Sequence, residues 1–181
     1  QANWFPSIEA QFKKISIVKE IVHEPEPYLY GLVARAENDQ SSVSGSGAAM
    51  ATFGDILELL NVDSANVINS GAALPITLKW RSKGVPPTRY TTFVHLISRD
   101  KPYITGVDGE PCANSYPTNQ WRANEVTQYQ LTLQMPSDLA PDTYDMMIGV
   151  YDTLTKERLP LAQTNQREPD RAFIKTLVVK K

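Results

Sequence analysis

Apolar and polar residues alternate with a period of two over most of the chain after residue 51. The clearest case is Leu74, Ile76, Leu78 and Trp80, which are separated by polar or charged residues and one proline. Such alternation is typical of a strand with one buried and one solvated face. Similar runs predict strands over 56–62, 74–80, 90–98, 103–107, 128–135, 144–150, 159–161 and 173–179.

These short strands are punctuated by turn residues, and no helical pattern lies between them. This arrangement predicts an all-β fold over residues 51–181, an antiparallel β-sandwich of immunoglobulin-like or jelly-roll-like type. Both faces of strand 90–98 are largely apolar, so we expect it to lie in the interior of its sheet. Trp80 is expected in the core, because it belongs to an alternating apolar face.

Residues 1–50 follow a different pattern and predict an N-terminal appendage. Apolar residues at spacings of three and four predict a short helix over 7–22, although the β-branched residues at 15–18 would also permit a strand. A strand is predicted over 28–34 and a Ser/Gly-rich linker over 38–49. The chain opens on Gln1 rather than Met, so we expect it to be part of a longer protein.

Charge and composition exclude several classes of partner. The formal charge of −2 comes from 18 basic and 20 acidic residues without a basic cluster, which argues against a nucleic-acid partner. Cys112 is the single cysteine, so neither an internal disulfide nor a thiolate zinc site can form. With only His23 and His95 available, no metal or cofactor is expected.

Motifs for catalysis are also missing from the sequence. It has no Gly-rich phosphate loop, no G-x-S-x-G elbow and no H-E-x-x-H pair. Cys112 and His95 could act as nucleophile and base, but an incidental cysteine and a hydrogen-bonded core histidine are the simpler interpretation. A glycosidase function remains an alternative, because carboxylates are present at 108, 110, 125, 145 and 152. No catalytic residue is assigned.

Aromatic residues near loops and strand ends are better functional candidates. Tyr103, Tyr116, Trp121, Tyr129 and Tyr151 occupy such positions. The C–H faces of sugar rings pack against aromatic planes, while nearby polar groups hydrogen-bond to the hydroxyls. The same pattern permits a second role for Trp121, which could instead fill the core or anchor a loop.

Seven short phrases carry a resemblance to a known family. In chain order they are 93–96 (FVHL), 108–111 (DGEP), 116–118 (YPT), 121–125 (WRANE), 142–144 (DTY), 149–152 (GVYD) and 157–160 (ERLP). Together they resemble a C-terminal domain of bacterial multispanning glycosyltransferases of the dolichyl-phosphate-mannose-protein mannosyltransferase type, over about residues 53–161. Asn124 and Asp142 depart from the family pattern, which has glycine at both positions.

The resemblance implies a non-catalytic accessory domain on the extracytoplasmic face of the membrane. Its implied partners are a glycan or lipid-linked sugar and the membrane-embedded portion of the same chain. A free-standing carbohydrate-binding or adhesion module remains the main alternative. A purely structural domain packed on its own membrane portion is another.

Loop aromatics and the polar residues of the seven phrases together supply the candidate ligand-binding side chains. They are Asp108, Tyr116, Thr118, Trp121, Tyr151, Asp152 and Arg158. Because most of them belong to the segment 108–121 or follow strand 144–150, the sequence predicts a sugar-facing surface built around the 108–121 loop.

Overall fold

A computed structural model of the chain describes the backbone of residues 15–21, 31–36, 48–162 and 168–181, and the side chains of the last two ranges. The chain divides into two compact units, residues 1–46 and 47–181. In the described residues no helix is long and apolar enough to cross a membrane.

The first unit contains an antiparallel strand pair, β1 (Ile15–Ile21) and β2 (Gly31–Ala36), with an irregularity between Ile17 and Lys19. The helix predicted over 7–22 is therefore wrong for residues 15–21. The β-branched side chains in this stretch favour an extended backbone over a helix. Residues 7–14, 22, 28–30 and 38–47, on which the other N-terminal predictions fall, lie outside the described residues.

The second unit is a β-sandwich, which confirms the predicted fold class. One sheet has the strand order β3-β4-β6-β9, and the other has the order β5-β11-β10-β7-β8. All neighbouring strands run antiparallel except β11 and β5, which are parallel. The strands are β3 (Ala51–Phe53), β4 (Leu57–Asp63), β5 (Val67–Asn69), β6 (Ala73–Ser82), β7 (Tyr90–Ile97), β8 (Thr105–Gly109), β9 (Val126–Gln134), β10 (Asp142–Asp152) and β11 (Arg171–Lys180).

The core lies between the inner faces of the two sheets. Trp80 on β6 is 1% exposed, as predicted, and its ring packs against Phe53 with the centroids 5.7 Å apart. Tyr129 on β9 reaches across the core, and its hydroxyl shares a hydrogen bond with Thr92 on β7 at 2.7 Å. Gly109 on β8 approaches β9 so closely that an added Cβ would lie 2.5 Å from Leu131. These contacts join the sheets through β7, β8 and β9.

The structure differs from the sequence-based expectations in three local respects. The predicted strand 159–161 is reduced to isolated bridges formed by Arg158 and Leu161. Asp108 and Gly109 lie beyond the predicted strand 103–107, but they end β8 and pair with β7. The three-residue strands β3 and β5 were not predicted, because a run so short has no readable period.

Candidate functional site

The outer face of the five-stranded sheet gathers several of the predicted site residues. The strand register places Phe93 of β7 opposite Gly149 of β10 on one side and Asp108 of β8 on the other. Thr92, next to Phe93, bonds across the core to Tyr129. Because side chains alternate along a strand, Phe93 must point outward, away from the four-stranded sheet.

Two glycines leave room for aromatic rings on this face. A Cβ at Gly149 would lie 2.1 Å from Cζ of Phe93, and a Cβ at Gly106 would lie 2.7 Å from Cδ2 of His95. Both distances are far below van der Waals contact. The Phe93 and His95 rings therefore lie over the backbone of neighbouring strands, where any larger residue would displace them.

Four rings form a continuous row across this surface. Their centroids are 6.2 Å apart between Tyr151 and Phe93, 4.5 Å between Phe93 and His95, and 5.0 Å between His95 and Tyr103. Phe93 is only 1% exposed, His95 and Tyr151 are half-buried, and Tyr103 is 54% exposed. We call this surface the aromatic face and define it as Phe93, His95, Tyr103, Asp108, Tyr151 and Arg158.

Asp108 and Tyr151 form the hydrogen-bonding edge of the aromatic face. The Tyr151 hydroxyl donates to Oδ2 of Asp108 at 3.0 Å, and the carboxylate is exposed to solvent. Burial raises the pKa of Tyr151, and the bond to Asp108 raises it further, so the phenol stays protonated at neutral pH. The pair thus fixes the Tyr151 ring while leaving carboxylate lone pairs open to a ligand hydroxyl.

Arg158 covers the middle of the row. Its guanidinium carbon lies 4.7 Å from the centroid of the Phe93 ring, and Nη1 donates to Oδ2 of Asp170 at 2.9 Å. A guanidinium stacked on a ring keeps its in-plane N–H donors available at the edge. Because the Arg158 side chain is 43% exposed, it can present those donors to a ligand.

His95 lies on the outer face and not in the core between the sheets. It packs between the Phe93 and Tyr103 rings. Burial lowers the pKa of His95 below its ordinary value, the Asp108 carboxylate partly opposes this, and Arg158 adds to the lowering. The imidazole is therefore neutral at neutral pH and acts as an aromatic surface with one N–H donor.

The structure places Trp121, Tyr116 and Thr118 away from the aromatic face, inside the loop between β8 and β9. Trp121 is 2% exposed, and its indole N–H donates to the backbone oxygen of Tyr116 at 3.2 Å. The Tyr116 hydroxyl donates to Glu125 at 2.9 Å. Thr118 accepts from the Tyr90 N–H at 2.8 Å. In this arrangement the three side chains anchor the loop and present little surface to a ligand.

A second set of contacts fixes the start of the same loop. Arg89 binds both carboxylate oxygens of Glu110 at 2.8 Å, and Glu110 is buried. Residues 112–114 then adopt left-handed backbone angles, with φ values of 53°, 51° and 70°. Such angles are costly outside glycine and persist only where the surroundings enforce them. Cys112 sits in this turn as an exposed free cysteine, and partial burial raises the pKa of its thiol, which does not favour the reactive thiolate.

Asp152 accepts hydrogen bonds from the backbone next to the aromatic face. Its Oδ1 accepts the N–H groups of Leu154 and Thr155 at 2.8 and 2.9 Å. The bond from Thr155 is the largest cause that lowers the pKa of this carboxyl, and the bond from Leu154 acts in the same direction. Asp152 therefore shapes the turn that carries the chain from Tyr151 to Arg158.

Of the seven predicted site residues, Asp108, Tyr151 and Arg158 come together, with Asp152 supporting them. His95 and Phe93 complete the surface, although the sequence favoured a core position for His95. Their shared period-two face was readable from the sequence. The strand register that places Gly149 on one side of β7 and Gly106 on the other could not be read from the sequence. Among the described residues, no three His, Cys, Asp or Glu side chains are grouped to hold a metal ion.

Comparison with known proteins yields structural likenesses only. No family model matches the chain, and no curated protein matches it. The C-terminal domain of wzt is 13% identical with a TM-score of 0.49, covering 72% of this chain and 76% of that one. A Niemann-Pick type C2 protein from Japanese carpenter ant is 7% identical with a TM-score of 0.47, covering 74% and 99%.

A third similar structure is the CARDB domain of a Pyrococcus furiosus protein in complex with di-metal ions. It is 11% identical with a TM-score of 0.39, covering 71% of this chain and 97% of that one. These low identities and scores identify no family for the chain.

Proposed function

We propose that the β-sandwich unit binds glycan on its aromatic face, as a non-catalytic accessory domain. The observation that carries this proposal is the grouping of solvent-reached ring surfaces on Tyr103, His95 and Tyr151 with polar groups on Asp108 and Arg158. Ring planes pack against the C–H face of a sugar, and carboxylate and guanidinium groups bond to its hydroxyls. His95, Asp108 and Tyr151 are held by the pairing of β7, β8 and β10, while Tyr103 precedes β8 and Arg158 forms an isolated bridge with Tyr151.

The glycosidase alternative is less well supported by the carboxylates. A glycosidase needs two acids facing one sugar bond, one of them free to give up a proton. Here each of the five acids has a structural partner. Asp108 is bound by Tyr151, Glu110 by Arg89, Glu125 by Tyr116, Asp145 by Thr176 and Asp152 by two backbone N–H groups.

For the parent protein we propose a multispanning glycosyltransferase that holds this domain on the extracytoplasmic face. The seven ordered sequence phrases support this proposal. It predicts several hydrophobic spans encoded upstream of Gln1 in the parent gene. A parent gene without such spans would favour the free-standing carbohydrate-binding module, which would use the same aromatic face.

The binding proposal is tested with the full chain on a glycan array, followed by calorimetry with the best-bound glycan. Tyr151→Ala should weaken binding by at least about tenfold, which corresponds to ~1.4 kcal/mol. Leu154→Ala is the matched control, because Leu154 lies three residues away and is 87% exposed. Equal affinity of the two variants, with both folded, would refute the assignment of the aromatic face.

A further inference from the structure

The aromatic face adjoins a groove at one end of the sandwich. Two neighbouring cavities of about 740 and 580 Å³ lie there, between the β7–β8 loop and the start of β10. Both are lined by Ser98, Arg99, Asp100 and Thr143. We call the two cavities together the end groove.

Two residues connect the end groove to the aromatic face. Tyr103 lines the larger cavity and stands edge-on to His95. Arg171 lines the smaller cavity and pairs in register with Gly149, which itself pairs with Phe93. A ligand that lies on the aromatic face is therefore next to Tyr103 and Arg171, which form part of the wall of the end groove.

The length of this surface exceeds a single sugar. Tyr151 lies opposite Thr91 on β7, and Ile97 of the same strand lines the smaller cavity. The six residue-to-residue steps from Thr91 to Ile97 span ~20 Å at ~3.3 Å per step, roughly the length of four pyranose rings. A monosaccharide on Tyr151 would leave the rest of the row and the groove without contact.

The groove walls suit uncharged sugars. Charged side chains of both signs line it: Arg99, Lys101 and Arg171 beside Asp100, Asp138, Asp142, Asp145 and Glu168. Such a mixture offers donors and acceptors to hydroxyl groups without a net positive field for an anionic ligand. The mixed signs therefore favour a neutral glycan over a phosphorylated or uronic one.

We infer that the ligand is an extended neutral oligosaccharide that runs from Tyr151 across His95 into the end groove. This inference rests on the proposed function of the aromatic face and adds the size and charge of what it binds. It assigns the end groove as the site of the sugars beyond the aromatic row. Arg99 and Asp100 would contact those sugars.

Calorimetry of the full chain with cello-, malto- and manno-oligosaccharides of one to six sugars tests the inference. In the series that binds, affinity should rise at least about tenfold between two and four sugars and then level off. Arg99→Ala should remove most of that gain and leave the affinity for the disaccharide unchanged. Lys83→Ala, which removes an exposed cation from the β6–β7 connection, should change neither value.

The outcomes separate the inference from the proposed function. If binding is lost in Tyr151→Ala but is independent of chain length and of Arg99→Ala, the extended site is overturned and the aromatic face stands. If a uronic or phosphorylated oligosaccharide binds more tightly than its neutral counterpart, the inferred charge class is overturned. If no oligosaccharide of the three series binds, or if Tyr151→Ala binds as tightly as the unsubstituted chain, both the proposed function and the inference fail.

Discussion

Gly149→Ala tests the packing on which the aromatic face depends. The new Cβ would lie 2.1 Å from Cζ of Phe93 and 2.8 Å from the backbone oxygen of Asp170. Carbon contacts are favourable only near 3.5–4.0 Å, so the Phe93 ring must move by more than 1 Å. Arg158 stacks on that ring and restricts its movement. Overpacking of this kind costs ~1–3 kcal/mol, and the backbone neighbour places this case in the upper half of that range.

The free energy of unfolding is measured by urea titration, followed by the fluorescence of the buried Trp80 and Trp121. We expect Gly149→Ala to lower it by ~2–3 kcal/mol. Gly84→Ala is the control, because its Cβ would meet only the flexible Ile56 side chain, at 3.3 Å. In a Phe93→Leu background, which lacks Cζ, the cost of Gly149→Ala should fall by at least ~1 kcal/mol. Equal effects of Gly149→Ala and Gly84→Ala would refute the reasoning.

Three further predictions concern the loop and the histidine. Trp121→Ala should lower the free energy of unfolding by ~3–5 kcal/mol, measured by urea titration, because the Trp121 ring is buried. A Trp121→Ala variant that is as stable as the unsubstituted chain but binds glycan more weakly would contradict the loop-anchor role. Arg89→Ala should lower the free energy of unfolding in the same assay, since Glu110 is left buried without its bidentate partner, and Arg89→Lys should restore only part of the loss. Because its folded pKa is lowered, His95 contributes stability that is present above its unfolded pKa near 6.5 and is lost as the pH falls through the folded value. Thermal melts should therefore show that His95→Gln lowers the melting temperature more at pH 7.5 than at pH 5. A decrease that is the same at both pH values would argue against this assignment, and so would an equal pH dependence in the control variant His23→Gln.

Much of the sandwich could be predicted from sequence because its signal is local. The period-two runs that became β6, β7, β9 and β10 carry their buried faces in their own residues. The wrong helix prediction at residues 15–21 also came from a local pattern. Apolar residues spaced by three and four predicted a helix there, but several of them are β-branched. β-branched residues favour an extended backbone, and residues 15–21 form a strand.

The site was harder to predict because it is made by register between strands. Asp108, Tyr151 and Arg158 are far apart in the chain and meet only because β7 lies between β8 and β10. A glycine within strand 144–150 indicates a close approach, but the sequence does not identify Phe93 as the neighbour of Gly149. For Trp121 the sequence permits both a core anchor and a ligand contact. Its burial and its bond to Tyr116 show the anchor.

The most direct test of the account is to map glycan contacts residue by residue. Amide NMR spectra of the full chain are recorded while the best-bound oligosaccharide is added. We expect the largest shift changes at residues 93–95, 105–108 and 149–151 of β7, β8 and β10, and at residues 103, 104 and 158, which flank these strands. Changes centred on residues 112–121, with the outer surface unaffected, would contradict the account and return the binding site to the loop.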